Sequence, residues 1–208
     1  GVVTNTLRHG QHSVNGVTFS PSGDRAVTCG SDATARMWDL ITDEEVWLIK
    51  VEGSSLVAVW SVDWSPDGSM LAAGMSNGQF NLLQPSDGSL IVDLGTISAH
   101  RTSSVQLVRY SPTGAMVAGC MAAGQVEVFD TQTHALLHTV KYDCKRNIGW
   151  FAWSPDSTRL VATGGATHTQ GAFDKDATVH DIASNTVVQR LQVCEFCEPA
   201  LYCTDWLA

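Results

Sequence analysis

Trp64-Ser65-Pro66-Asp67-Gly68 is an aromatic residue run into Ser-Pro and a turn, and the chain spells that phrase four times. The other copies are Phe19-Ser20-Pro21-Ser22-Gly23, Tyr110-Ser111-Pro112-Thr113-Gly114 and Trp153-Ser154-Pro155-Asp156-Ser157. The prolines stand 45, 46 and 43 residues apart. A fixed period in this range marks one supersecondary unit copied and stacked. It also sets the class of function to expect, because stacked copies usually build binding surfaces and not one catalytic pocket.

Outward from the phrase, every copy carries the same pattern. Val14 and Val17 lead into Phe19, Val59 and Val62 into Trp64, Val105 and Val108 into Tyr110, and Ile148 and Phe151 into Trp153. The step of two next to the aromatic is the period of a half-buried strand. The step of three before it predicts a bulge that turns one side chain aside. Ser-Pro ends the ladder, since proline has no N–H to donate and disfavours helix in the residue before it. Second strands are expected at 25–29, 70–74, 116–120 and 160–164. Third strands are expected at 34–39, 79–84, 125–130 and 177–181, and fourth strands after a polar turn, as at 90–94 and 187–192. Four short antiparallel strands per unit, with no helical stretch, predict an all-β fold built of propeller blades.

The stretch Ala26-Val27-Thr28-Cys29-Gly30-Ser31-Asp32-Ala33-Thr34-Ala35-Arg36-Met37-Trp38-Asp39 resembles the signature of WD-repeat propellers, with Asp32 and Trp38 at that family's spacing of six. The pattern extends over essentially the whole chain. The resemblance implies a buried tetrad of a hydroxyl, an Asp, a Trp and a His that ties three strands to the loop before the blade. Carried over, Thr28, Asp32 and Trp38 supply three members, and the His position falls on Gly10, with His9 and His12 beside it. These would be structural residues: a buried Asp needs fixed donors, and losing one partner costs roughly 1–3 kcal/mol. The other units depart from the pattern. The second has Ala73, Asn77 and Leu83 at the three positions; the third has Gly119, Ala123 and Phe129, with His100 one residue from its His place. The fourth keeps Thr163 and Asp174 but has His180 where Trp belongs. Such blades are expected to depend on packing, and decay of this kind is common among eukaryotic members.

The same alignment divides the chain. Residues 1–8, with a strand at 2–7, read as the last strand of a preceding blade; 9–52, 53–97, 98–141 and 142–193 read as whole blades. Residues 194–208 read as the start of another, with Trp206 in the aromatic slot. Four blades and two stray strands suggest a segment of a larger ring, which in this family most often has seven blades; a small ring closed by the two strands is the alternative. In the fourth unit Thr163 and Asp174 stand eleven apart where the family has four, so 165–173 is read as an inserted loop.

Composition fits a soluble β domain, and the net charge of −9 argues against a general nucleic-acid groove. Lys141, Lys145 and Arg146 form one basic cluster, read as a solvated loop. No stretch is long and apolar enough to span a membrane as a helix. Cys29 and Cys120 occupy strand positions as small buried hydrophobes. Cys194 and Cys197 begin a metal-like spacing, with Cys203 six residues on, but no second pair or nearby His completes four ligands. Reduced thiols without metal or cofactor are the reading. Gly74-Met75-Ser76-Asn77-Gly78 matches a nucleophile elbow, yet it sits in a hairpin between strands, whereas the elbow needs a strand leading into a helix.

Function is therefore sought on surfaces. In the family the loops between blades and the hairpins between second and third strands gather on one face, where partners commonly dock. The resemblance places Ser13, Ala58, Ser104 and Asn147 there, with the hairpin residues Ser31, Ser76 and Ala122. This set is small and polar, with no aromatic or Arg anchor. The insertion adds His168 and Phe173, because lengthened loops on a rigid scaffold tend to collect function. The expectation is a non-enzymatic scaffold that binds other proteins in a multi-subunit assembly, without direct nucleic-acid or membrane contact. Its setting would be intracellular, cytoplasmic or nuclear, with ciliary or cytoskeletal assemblies included. The competing expectation is an accessory propeller of an enzyme whose catalytic part lies elsewhere; fold alone does not separate the two.

Overall fold

The computed structural model describes residues 6–10, 12–51, 57–97, 103–122, 124–141, 148–164 and 176–192. Among them, sixteen strands form four sheets. The first holds β1 (Val14–Phe19), β2 (Arg25–Gly30), β3 (Thr34–Asp39) and β4 (Glu45–Lys50). The second holds β5 (Val59–Trp64), β6 (Leu71–Met75), β7 (Phe80–Leu83) and β8 (Leu90–Asp93). The third is β9 (Val105–Tyr110), β10 (Met116–Met121), β11 (Gln125–Asp130) and β12 (Leu136–Lys141). The fourth is β13 (Ile148–Trp153), β14 (Arg159–Gly164), β15 (Asp176–Asp181) and β16 (Thr186–Gln192). Each sheet is an antiparallel meander in chain order. A 3-10 turn at Leu94–Thr96 is the one helical element among the described residues.

The serine of the repeated phrase explains why that phrase recurs. Ser20, Ser65, Ser111 and Ser154 are all buried. Each backbone N–H donates to the carbonyl five residues on, and each hydroxyl accepts the N–H of that same residue: Arg25, Met70, Met116 and Arg159. The hydroxyl thus stands in as ladder acceptor for the serine's own carbonyl, which the turn takes up. The residue three after the serine donates back to the serine carbonyl and takes positive φ, near 75° at Gly23, Gly68 and Gly114 and 61° at Ser157. That left-handed corner is why glycine recurs there.

The predicted bulges are present. Pairing shifts register between Val14 and Gly16, Val59 and Ser61, Val105 and Leu107, and Ile148 and Trp150, leaving one extra residue in each first strand. The four sheets pack face to face in chain order through three apolar seams. Val27, Cys29 and Met37 meet Val62, Trp64 and Leu71 in the first seam. Phe80, Leu82 and Leu94 meet Val108, Tyr110 and Phe129 in the second, and Val126 and Val128 meet Phe151, Trp153 and Leu160 in the third. The sheets approach most closely along β1, β5, β9 and β13, so they fan outward from their first strands. Side chains of β5 also tie the second seam: Ser61 Oγ accepts the Val108 N–H at 3.3 Å, and Asp63 Oδ2 accepts the Tyr110 N–H at 2.8 Å.

One face differs. Trp64, Tyr110 and Trp153 are 6–8% exposed, covered by the preceding sheet, whereas Phe19 is 64% exposed and Val17 63%. Of the expected segment at 2–7, residues 6 and 7 are not in a strand and the rest lies outside the described residues. The expected blade start at 194–208 with Trp206, the insertion 165–173 and Cys194, Cys197 and Cys203 also lie outside them. No helix among the described residues is long and apolar enough to cross a membrane, which says nothing of spanning by strands.

Candidate functional site

Thr28, on β2, and Trp38, on β3, lie on one face of the first sheet, and the hairpin between the strands brings Asp32 to its edge. The Trp38 indole N–H donates to Thr28 Oγ1 at 2.9 Å, and Thr28 Oγ1 lies 2.7 Å from His9 Nδ1. With Thr28 already accepting from Trp38, its own proton goes to Nδ1, leaving His9 Nε2–H to donate to Asp32 Oδ1 at 3.3 Å. The histidine is therefore His9, one residue before the aligned position, and it is buried. Gly10 takes φ +144°, and a Cβ there would stand 2.9 Å from Asp32 Oδ2, so glycine lets the loop swing the imidazole inward. Gly30 makes room too, since its Cβ would meet His9 Nε2 at 2.7 Å.

Thr34 is a fifth member the sequence did not announce. Its hydroxyl and N–H both donate to Asp32 Oδ1, at 2.7 and 3.1 Å. Burial pushes the Asp32 carboxyl up, but the Thr34 and His9 donors outweigh it and hold the group below its usual range.

At the corresponding points the other sheets differ. In the second, Ala73 and Leu83 are buried, and Asn77 keeps only the turn, accepting the Gln79 N–H at 3.1 Å. In the third, the ring of Phe80 from β7 fills the place of the missing hydroxyl: a Cβ on Gly119 would lie 2.6 Å from Phe80 Cε1. Phe80 meets Phe129 edge to face, with centroids 5.6 Å apart and planes at 89°. Ala123 and His100 lie outside the described residues. In the fourth, the expectation for Thr163 is corrected. Phe151 pairs with Ala162 as Val17 pairs with Thr28, so Ala162 holds the hydroxyl position. Thr163 lies one residue on and faces the other side of the strand, its hydroxyl 3.5 Å from the Trp150 carbonyl. His180 does stand opposite Leu160 as Trp38 stands opposite Ala26, and burial followed by Arg190 lowers its pKa. Asp174 lies outside the described residues.

The expected docking residues fall in bonded pairs at one end of the sheets. Ser31 N–H donates to Ser13 O, Ser76 N–H to Ala58 O and Ala122 N–H to Ser104 O, each at 2.8–2.9 Å. Asn147, His168 and Phe173 lie outside the described residues. The expectation that this end lacks an aromatic anchor is overturned by Trp60, the bulge residue of β5, which is 42% exposed. The step of three between Val59 and Val62 was its signal, for it marks the side chain the strand turns aside. Asn15, the bulge residue of β1, pins the spot: its Nδ2 donates to Val59 O at 3.0 Å, and its Oδ1 accepts from Ser31 Oγ at 3.2 Å.

The opposite end is acidic. Asp24, Asp67 and Asp156 stand in the turns after the first strands, Asp39, Asp130 and Asp181 close third strands, and Asp87 stands in the turn after β7. Hydrogen bonds from neighbouring Ser and Thr hydroxyls and backbone N–H groups hold all seven carboxyls below their usual range, Asp156 at about 2. Cys29 and Cys120 are buried thiols outside any disulfide, and burial pushes the Cys29 thiol up to about 12, which makes it unreactive. Among the described residues, no three His, Cys, Asp or Glu side chains gather as a metal set.

Comparison with known proteins agrees with this geometry. Residues 1–39 match the WD domain, G-beta repeat family, and residues 41–102 match the anaphase-promoting complex subunit 4 WD40 domain family. The chain is similar to the ribosome biogenesis protein ERB1 of Chaetomium thermophilum, 36% identical over 72 residues, which is 34% of this chain and 9% of that protein. It is similar to the human echinoderm microtubule-associated protein-like 3, 31% identical over 97 residues, or 47% of this chain and 10% of that one. ERB1 of Candida glabrata is 30% identical over 86 residues, 39% of this chain and 11% of the relative. The chain thus spans about a tenth of the length of these relatives. Repeat period, sheet topology and these matches converge, and the chain belongs to the WD-repeat family, its four-stranded sheets being blades of the kind that build a β-propeller.

Proposed function

We propose that this protein is a non-enzymatic scaffold that docks other proteins on the hairpin end of its blades. Residues 9–52, 53–97, 98–141 and 142–193 are its blade units, and the uncovered β1 face suits packing by a further sheet. WD-repeat domains generally mediate protein–protein interactions and are typically non-catalytic, which supports the class of function. The observation that carries the reading is Trp60, a large aromatic held in solvent on a backbone that Asn15 fixes from the neighbouring blade. Such rigid, exposed aromatics are the residues that anchor interfaces. One relative is named for ribosome biogenesis and another for microtubules, and both names suit an intracellular assembly; matches over a tenth of their length select neither.

The test is affinity capture with quantitative mass spectrometry on the full chain, on Trp60→Ala, on a chain lacking 165–173, and on Asp67→Asn as a control at the acidic end. Proteins lost with Trp60→Ala but kept by the control support the reading. Equal recovery by all four, with unchanged thermal midpoints, would sink it.

A further inference from the structure

Three side chains turned out by bulges stand on adjacent first strands: Asn15 on β1, Trp60 on β5 and Gln106 on β9. They are not equivalent. Asn15 has both ends of its carboxamide committed, to Val59 O and to Ser31 Oγ. Gln106 is half-buried, and its carboxamide makes no hydrogen bond among the described residues. Two residues before it in the chain, Ser104 Oγ is buried without a partner among the described residues. The row therefore reads as a fixed amide, an exposed indole and an open amide.

We infer that Trp60 receives an uncharged, extended segment of a partner protein, with a proline or aliphatic side chain laid on the indole and a backbone amide read by Gln106. This rests on the docking role proposed above and names its partner chemistry. The first strands are where the blades converge, so a segment one chain thick reaches them more readily than a flat domain surface does. A carboxamide offers a donor and an acceptor, the complement of a peptide group, and a neighbouring indole suits an apolar side chain with little entropy of its own. Charge supports the same choice. Ser13, Ala58, Ser104, Ser31, Ser76 and Ala122 at this end are uncharged and its low-pKa carboxylate, Asp32, is engaged by Thr34 and His9, whereas seven low-pKa aspartates lie at the other end. A basic segment would be drawn to those carboxylates and away from Trp60.

The experiment is selection of a random twelve-residue peptide display library on the immobilised full chain, followed by titration of the three most enriched synthetic peptides against variants. Enriched peptides are expected to be uncharged and to share a proline or aliphatic position. Trp60→Ala should weaken them about ten-fold or more and Trp60→Phe much less; Gln106→Ala should weaken them about two- to five-fold. Thermal midpoints of all variants exclude unfolding as the cause. Basic peptides that bind Trp60→Ala as well as the parent would overturn the inference. So would uncharged peptides indifferent to Trp60. In both cases capture of proteins by the parent chain would leave the scaffold reading standing, and failure to retain any peptide or protein would remove both.

Discussion

At corresponding points of the first and third blades, Thr28, Trp38, Asp32 and His9 share a hydrogen-bonded net, and Phe80 stands edge-on to Phe129 over Gly119. The net is private: its members come from one blade and the loop that leads into it. The aromatic plug is borrowed, because Phe80 belongs to the second blade and fills a hole in the third. A private net stabilises one repeat, whereas a borrowed side chain stabilises the seam between two and couples their unfolding.

The comparison breaks most visibly at Phe80. Phe80→Ala should cost about 3–5 kcal/mol in denaturant titration and unfold the second and third blades together; a loss smaller than that from His9→Ala would reverse the ranking of plug and net. Next comes Gly119→Ala, whose methyl would press on the Phe80 ring at 2.6 Å and should cost about 1–3 kcal/mol. Phe80→Leu should recover part of that loss, and simple additivity of the two changes would show that the ring and the glycine are not partners.

His9→Ala should cost about 1–3 kcal/mol, since Thr28 and Asp32 lose a buried partner together. Combined with Gly119→Ala it should be additive within about 0.5 kcal/mol, as private and borrowed devices share no atoms. The net also carries a pH signature. The Asp32 carboxyl is held low in the fold, so its contribution is present above the unfolded value of about 4 and disappears as pH falls through the lower folded value. Asp32→Asn should flatten that acid limb, which pH-dependent melting reads directly.

The smallest effect has the opposite sign. Burial raises the Asp63 carboxyl in the second seam, against the pull of Arg109 and of the Tyr110 and Trp64 N–H groups. A raised acid costs stability when charged, and that cost is relieved as pH falls through the folded value. Asp63→Asn keeps an acceptor for the Tyr110 N–H and removes the buried charge, so the melting midpoint at pH 7 should rise slightly and the gain should vanish in acid. A fall at pH 7 would mean that the Arg109 charge outweighs burial.

Local rules made most of the fold legible. Ser-Pro, a glycine three residues on and the Val-x-x-Val step each act within a few residues, so the serine-closed turns and the bulges could be read before the strands were seen. What escaped was whatever depends on another segment or on a single register step. His9 was missed by one place because Gly10, with its unusual φ, does the turning. Thr163 was misassigned because shifting a strand by one residue exchanges its faces, and a threonine at the wrong parity looks the same in sequence. Phe80 looked like an ordinary strand residue of its own unit, since its partner glycine lies in the next. Trp60 was hidden by its good strand propensity; only the bulge says that it faces out.

The low-pKa aspartates at the turn end have a consequence beyond the turns they close. Because neighbouring donors keep them ionised, that rim carries its negative field even in mildly acidic surroundings, with a reach set by the Debye length of about 8 Å at physiological ionic strength.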